Sequence, residues 1–203
     1  PHHPARCAAH RAKAAWGLAF ALGSMVCAFA QGVILGALVE GMPLQEGKYM
    51  GGAFGWFSPF SMLTGVAVVF GYALLGSTWL ILKTEGRMQL VSRTLTRPLV
   101  LVVVAFMGLV SAWLPFLDSR LMARWFEAGN FWWLSPVPLA ALVNAWLLWR
   151  ASMREGRDMA PFILALTFFA LGFAGLVLGL WPYLVPPSLT IWQAAAAPSS
   201  QMF

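Results

Sequence analysis

Residues able to bind a metal, relay a proton or attack a substrate are scarce in this sequence, and they lie away from its apolar stretches. The three histidines are His2, His3 and His10, and the two cysteines are Cys7 and Cys27. A haem buried in a bilayer takes axial His or Met ligands. A proton path takes Asp, Glu or His, and a structural zinc takes closely spaced Cys and His. No such set forms by spacing here. The histidines crowd into an N-terminal arm that reads as solvated, the cysteine pair gives no disulfide framework, and no Gly-rich phosphate loop ending in Lys occurs. Met25, Met62 and Met107 are formal thioether donors within apolar stretches, where a Met normally fills space.

The elements that would position any chemistry are five long apolar stretches, at about 15–39, 59–82, 98–117, 131–149 and 161–184. About 20 helical residues cross a hydrocarbon core of roughly 30 Å, so the expected fold is all-α, a polytopic membrane helix bundle with five transmembrane helices in a single transmembrane domain over residues 1–203. The stretches hold no Asp, Glu, Lys, Arg or His, and their polar side chains are Gln31, Asn144 and a few Ser and Thr. Backbone polar groups must then be paired inside helices. The composition agrees, at 60% hydrophobic and 10% charged with a mean hydropathy of +0.74, and argues against a water-soluble domain.

The net charge of +6 suggests nucleic acid at first sight, but the bases sit in short loops between stretches, so no nucleic-acid partner is expected. Arg6, Arg11, Lys13, Lys83, Arg87, Arg93, Arg97, Arg150, Arg154 and Arg157 fall on one set of alternating segments, and Lys48, Arg120 and Arg124 on the other. Basic residues resist export, so ten against three predicts a cytoplasmic N-terminal arm and a periplasmic tail from Pro186 to Phe203. Trp56, Trp113, Trp132, Trp133, Trp181 and Trp192 mark the expected outer ends, and Trp16, Trp79 and Trp149 the inner ones, as an aromatic belt would. Because the chain opens at Pro1 without Met and stops at Phe203, it reads as a fragment.

Small residues recur every four positions at Ser24, Ala28, Gly32 and Gly36, which stacks them on one helix face. Such a face lets a neighbouring helix come close, and Gly175 and Gly179 repeat the spacing. Gln31 lies beside that face at mid-depth and needs a partner, either another helix or a quinone, water chain or cofactor. Asn144 poses the same choice. Glu40 and Asp118, at outer stretch ends, read as ordinary interfacial carboxylates. Pro59, Pro98, Pro136 and Pro161 fall at stretch edges, where a first helical turn tolerates a missing N–H. Pro138 lies one turn further in and would kink the fourth helix, and 181–187 opens an extended segment.

Four strings carry a family resemblance. They are Gln31-Gly-Val-Ile-Leu-Gly-Ala-Leu-Val-Glu-Gly41, Gly51-Gly-Ala-Phe-Gly-Trp-Phe-Ser-Pro-Phe-Ser-Met-Leu-Thr-Gly65, Tyr72-Ala-Leu-Leu-Gly-Ser-Thr-Trp-Leu-Ile-Leu-Lys-Thr-Glu-Gly86 and Leu189-Thr-Ile-Trp-Gln-Ala-Ala-Ala-Ala-Pro-Ser-Ser-Gln201. In this order and spacing, from about Trp16 to Phe203, the chain resembles subunit II of the cytochrome bd-type quinol oxidases, including the cyanide-insensitive branch.

The resemblance implies a bacterial cytoplasmic-membrane complex that oxidises quinol and reduces oxygen to water. Its haem-bearing subunit I would be the partner and would hold haems b and d, so no cofactor is expected to be ligated by this chain. A small third subunit is a further expected partner, alongside the lipid bilayer. The five helices would be the fourth to eighth of about nine. The family often has Asp after the Thr-Ile-Trp string, where this chain has Gln193, so an acidic role there is in doubt. The residues singled out for helix packing, or for quinone or proton contacts, are Gln31, Gly32, Gly36, Glu85 and Asn144. A secondary transporter is the alternative, because helices interrupted by Gly and Pro can build a midplane site.

Overall fold

The computed structural model describes residues 4–41, 44–45, 48–117, 132, 135–181, 183–185 and 189–194. Uncharged apolar runs leave the backbone no water to bond, and they fold into long helices. These are α1 (Pro4–Glu40), α2 (Pro59–Lys83), α3 (Gly86–Leu117), α4 (Pro136–Ala151) and α5 (Met159–Leu180). Between α1 and α2, the two-residue strands β1 (Leu44–Gln45) and β2 (Lys48–Tyr49) pair antiparallel. After α5, β3 (Tyr183–Val185) pairs antiparallel with β4 (Leu189–Thr190), and α6 (Ile191–Ala194) follows.

The chain is a polytopic helical bundle in which α1, α2, α3 and α5 are long and apolar enough to cross a membrane. The helix α4 has 16 residues, about 24 Å at 1.5 Å per residue, and most of the 131–135 stretch expected to precede it lies outside the described residues.

Several boundaries differ from expectation. The first helix begins at Pro4 rather than near residue 15, so most of the arm expected ahead of it is helical backbone. The third helix begins at Gly86 rather than Pro98, so Pro98 stands inside α3, as does Pro115. Pro98 removes the N–H that Thr94 O would accept in a regular helix. The helix nevertheless continues back to Gly86, because Ser92, Arg93 and Thr96 are buried and make the contacts described below. The fifth helix ends at Leu180 rather than Leu184, and Tyr183–Val185 joins the short ladder instead. Glu85 and Thr84 alone separate α2 from α3, and Gly86 supplies the left-handed backbone (φ 62°) that this reversal needs.

Helices α2 to α5 form a ring in which each packs on its neighbours, and α1 packs principally on α2. The ring encloses Leu74, Val100, Val103, Ala141, Ala145, Leu148, Ala165 and Phe168. Small Ala residues on α4 and α5 face larger partners on α2 and α3, which lets the layers interdigitate. Aromatic contacts join α2 to both sides: Phe70 stacks on Phe106 at 5.6 Å, and Trp79 meets Phe162 edge-on at 5.0 Å.

The α1–α2 seam is where helix backbones come closest. A Cβ on Gly32 would lie 2.5 Å from Thr64 O and 2.7 Å from Gly65 Cα, and one on Gly36 would lie 2.6 Å from Ser61 Cα. Gly65 returns the fit, since a Cβ there would meet Phe29 and Val33. Thr64 Oγ1 lies 2.8 Å from Gly32 O across the seam and equally far from Ser61 O in its own helix, so its proton is shared between them. Ala28 extends the close face, but Ser24 is exposed, so the close contact covers the C-terminal part of α1. Gly179 has open space around it.

Gly32→Ala should therefore cost roughly 1 to 3 kcal/mol, the usual range for forcing extra carbon into a packed site, because the obstructing atoms are backbone. Gly23→Ala, with nothing within 4 Å of its Cβ position, should leave stability unchanged or slightly raised. Thermal midpoints of the two variants in detergent check this, and equal midpoints would contradict the close seam.

Candidate functional site

The polar contacts of the bundle gather mainly at its two ends. At the α1–α2 end, Ser58 caps α2: its Oγ accepts from Ser61 N–H at 2.9 Å, while Ser61 Oγ accepts from Ser58 N–H at 3.0 Å. Pro59 follows at the first helical position, where its missing N–H costs nothing. Ser58 Oγ donates to the Glu40 carboxylate at the end of α1. Glu40 is thus tied to the N-terminus of α2, where the helix dipole favours a negative charge.

The opposite end is built around Arg93. Gln89, Ser92, Arg93 and Thr96 share one face of α3 by their i, i+3, i+4, i+7 spacing. Gln89 Nε2 donates to Ile81 O at 2.9 Å, and Thr96 Oγ1 lies 2.9 Å from Ser77 Oγ, so this face is stitched to α2. Arg93, 5% exposed, reaches the loop between α4 and α5. It donates to Arg154 O at 2.8 Å and Ser152 O at 3.3 Å and forms an ion pair with Asp158. Gly156, at φ 81°, lets the loop turn. Arg93 Nε and Arg97 Nε are buried without a partner.

The residues singled out from sequence fall in three places. Gln31, Gly32 and Gly36 lie along the α1–α2 seam, and Gln31 Oε1 accepts from Tyr72 O–H at 2.8 Å on its exposed edge. Asn144 is buried on α4 beside the ring core, and its Oδ1 has no partner. Glu85 is exposed in the α2–α3 turn. Asp118, Arg120 and Arg124 lie outside the described residues.

Sequence reasoning missed Arg93, which it counted as a loop charge. The polar i, i+3, i+4, i+7 face from Gln89 to Thr96, extending the helical period ahead of Pro98, was the signal that could have found it.

Donors suited to a haem do not converge among the described residues. His10 lies on the first turns of α1, Met25 is 53% exposed on the outside of the same helix, and Met107 packs its methyl against Gly172. No group of three or more His, Cys, Asp and Glu able to hold a metal occurs among the described residues.

Fold and contacts together define a multi-pass membrane helix bundle in which several buried polar groups join one element to another. The family model for cytochrome bd terminal oxidase subunit II matches residues 5–203, and the chain belongs to that family. It is 28% identical over 106 residues to cytochrome bd-I ubiquinol oxidase subunit 2 of Escherichia coli strain K12, and equally so to that of strain O157:H7. Each match covers 50% of this chain and 28% of the relative.

Replacing Arg93 by Met should cost on the order of 2 to 4 kcal/mol, since it strips a buried loop of its donor. Asp158→Asn should cost about 1 kcal/mol or less, because the Asp158 side chain is 40% exposed and water screens the pair. Thermal midpoints of the two variants check this. An equal loss would show that the ion pair, and not the carbonyl contacts, carries the clamp.

Proposed function

We propose that this chain is the non-haem subunit of a cytochrome bd-type quinol oxidase, joined to a haem-bearing subunit I in a bacterial cytoplasmic membrane. The observation that carries the reading is the family match over residues 5–203. In the complex, the partner's haems b and d would supply the electron path from quinol to oxygen. This chain would supply a packed helical wall and control access of protons and lipid to that path. Gln31, Gly32 and Gly36 serve helix packing in this reading, given their contacts with Tyr72, Thr64 and Ser61. Asn144 keeps a buried acceptor free for a water in a proton relay, and Glu85 offers a solvent-facing carboxylate. No observation of the fold carries a small third subunit.

The orientation follows from charge. Lys83, Arg87, Arg93 and Arg97 share one end of the bundle with Arg150, Arg154 and Arg157, as the Arg93 contacts to the α4–α5 loop support. By the positive-inside rule that end faces the cytoplasm.

Co-expression with the neighbouring subunit I tests the proposal. The full-length chain should copurify with a haem-bearing partner and show quinol oxidase activity, and alone it should show neither haem absorbance nor activity. In the same cells, after Cys7 and Cys27 are changed to Ser, an impermeant thiol reagent should label Phe54→Cys and leave Glu85→Cys unmodified. A colourless copurified complex would refute the functional reading, and the reverse labelling pattern would refute the orientation.

A further inference from the structure

Beside the Arg93 clamp, the end of α4, the following loop and the start of α5 enclose an open-sided cleft of about 240 Å³. Its walls combine Trp146, Leu147 and Leu164 with Arg150, Arg154 and Arg157. Among the described residues, no acidic side chain lines it. Asp158, the nearest carboxylate in sequence to Arg157, is drawn off by Arg93, and Glu155 is exposed outside the cleft. The clamp therefore does two things. It holds the loop by its main chain, and it leaves the three cleft arginines without a carboxylate partner among the described contacts.

We infer that this cleft binds the phosphate of an anionic phospholipid at the membrane interface. A phosphate ester is the shared chemistry of a lipid headgroup and of free phosphate, and three guanidiniums suit either. The apolar wall decides for the lipid. Trp146 and Leu147 are 52% and 42% exposed on the outer surface of α4, where acyl chains would lie along them. Arg150 stacks over the Trp146 ring at 4.8 Å, which holds its guanidinium at headgroup depth while the ring sits in the interface. The three guanidiniums also favour an anionic phosphate over a neutral quinone ring, which offers them no negative charge to pair with. The inference depends on the chain spanning a membrane and not on the oxidase reading.

Native mass spectrometry of the full-length chain in detergent, with added dioleoyl phosphatidylglycerol or dioleoyl phosphatidylcholine, tests it. The wild type should retain one phosphatidylglycerol with a preference on the order of tenfold, as expected for a few basic groups at a membrane surface. The pair Arg154→Gln with Arg157→Gln should lose that preference. The pair Lys83→Gln with Arg87→Gln, an equal change of charge at the same end, should keep it. Millimolar inorganic phosphate should not displace the lipid. As a readout that needs no variant, phosphatidylglycerol should raise the thermal midpoint of the wild type more than phosphatidylcholine does. Equal retention or equal stabilisation by the two lipids would overturn the site. Equal loss in both double variants would reduce it to bulk charge, and displacement by inorganic phosphate would reassign it to a free anion.

Discussion

In hydrocarbon an apolar side chain gains little by leaving lipid for another helix, so association must come from close van der Waals contact and from polar groups that find partners. The α1–α2 seam satisfies both conditions at once. Gly32, Gly36 and Gly65 remove the side chains that would hold the backbones apart, and at that approach Thr64 Oγ1 can reach Gly32 O. Larger residues at those glycines would separate the helices and break the hydrogen bond together. The ring of α2 to α5 uses the same logic with Ala in place of Gly, at Ala141, Ala145 and Ala165.

The two ends of the bundle solve a different problem, which is to finish helices whose terminal backbone groups have no intrahelical partner. Ser58 and Ser61 do this at one end with small side chains, and the Glu40 carboxylate in turn accepts from the Ser58 hydroxyl. Arg93 does it at the other by donating to Ser152 O and Arg154 O near the end of α4. A buried guanidinium is costly on its own, and it is offset here because several of its donors are met. With Asp158 occupied by Arg93, the charge surplus of the α4–α5 loop falls on Arg150, Arg154 and Arg157.

Much of this was legible in the sequence because membrane solvation imposes long uncharged runs and four-residue spacing of small residues. The helices, the close face of α1 and the need of Gln31 for a partner follow from those patterns. The start of α3 was not legible by hydropathy, since the segment before Pro98 carries Arg87, Arg93 and Arg97 and reads as a loop. It is helical because Gln89, Arg93 and Thr96 find partners on other elements, and no local pattern states where those partners are. The Glu40–Ser58 contact was hidden for the same reason: its groups are 18 residues apart in sequence, and each alone looks ordinary.

In the proposed oxidase, packing and access would fall to this chain and haem ligation to its partner. Met25, Met62 and Met107 are the thioethers in the apolar stretches that could oppose that division. The most direct measurement is the reduced-minus-oxidised haem spectrum of the assembled pair carrying Met25→Leu, Met62→Leu and Met107→Leu together. The division of labour predicts every haem band at wild-type position and amplitude per assembled complex. Loss or shift of a band in a stably assembled triple variant would contradict it.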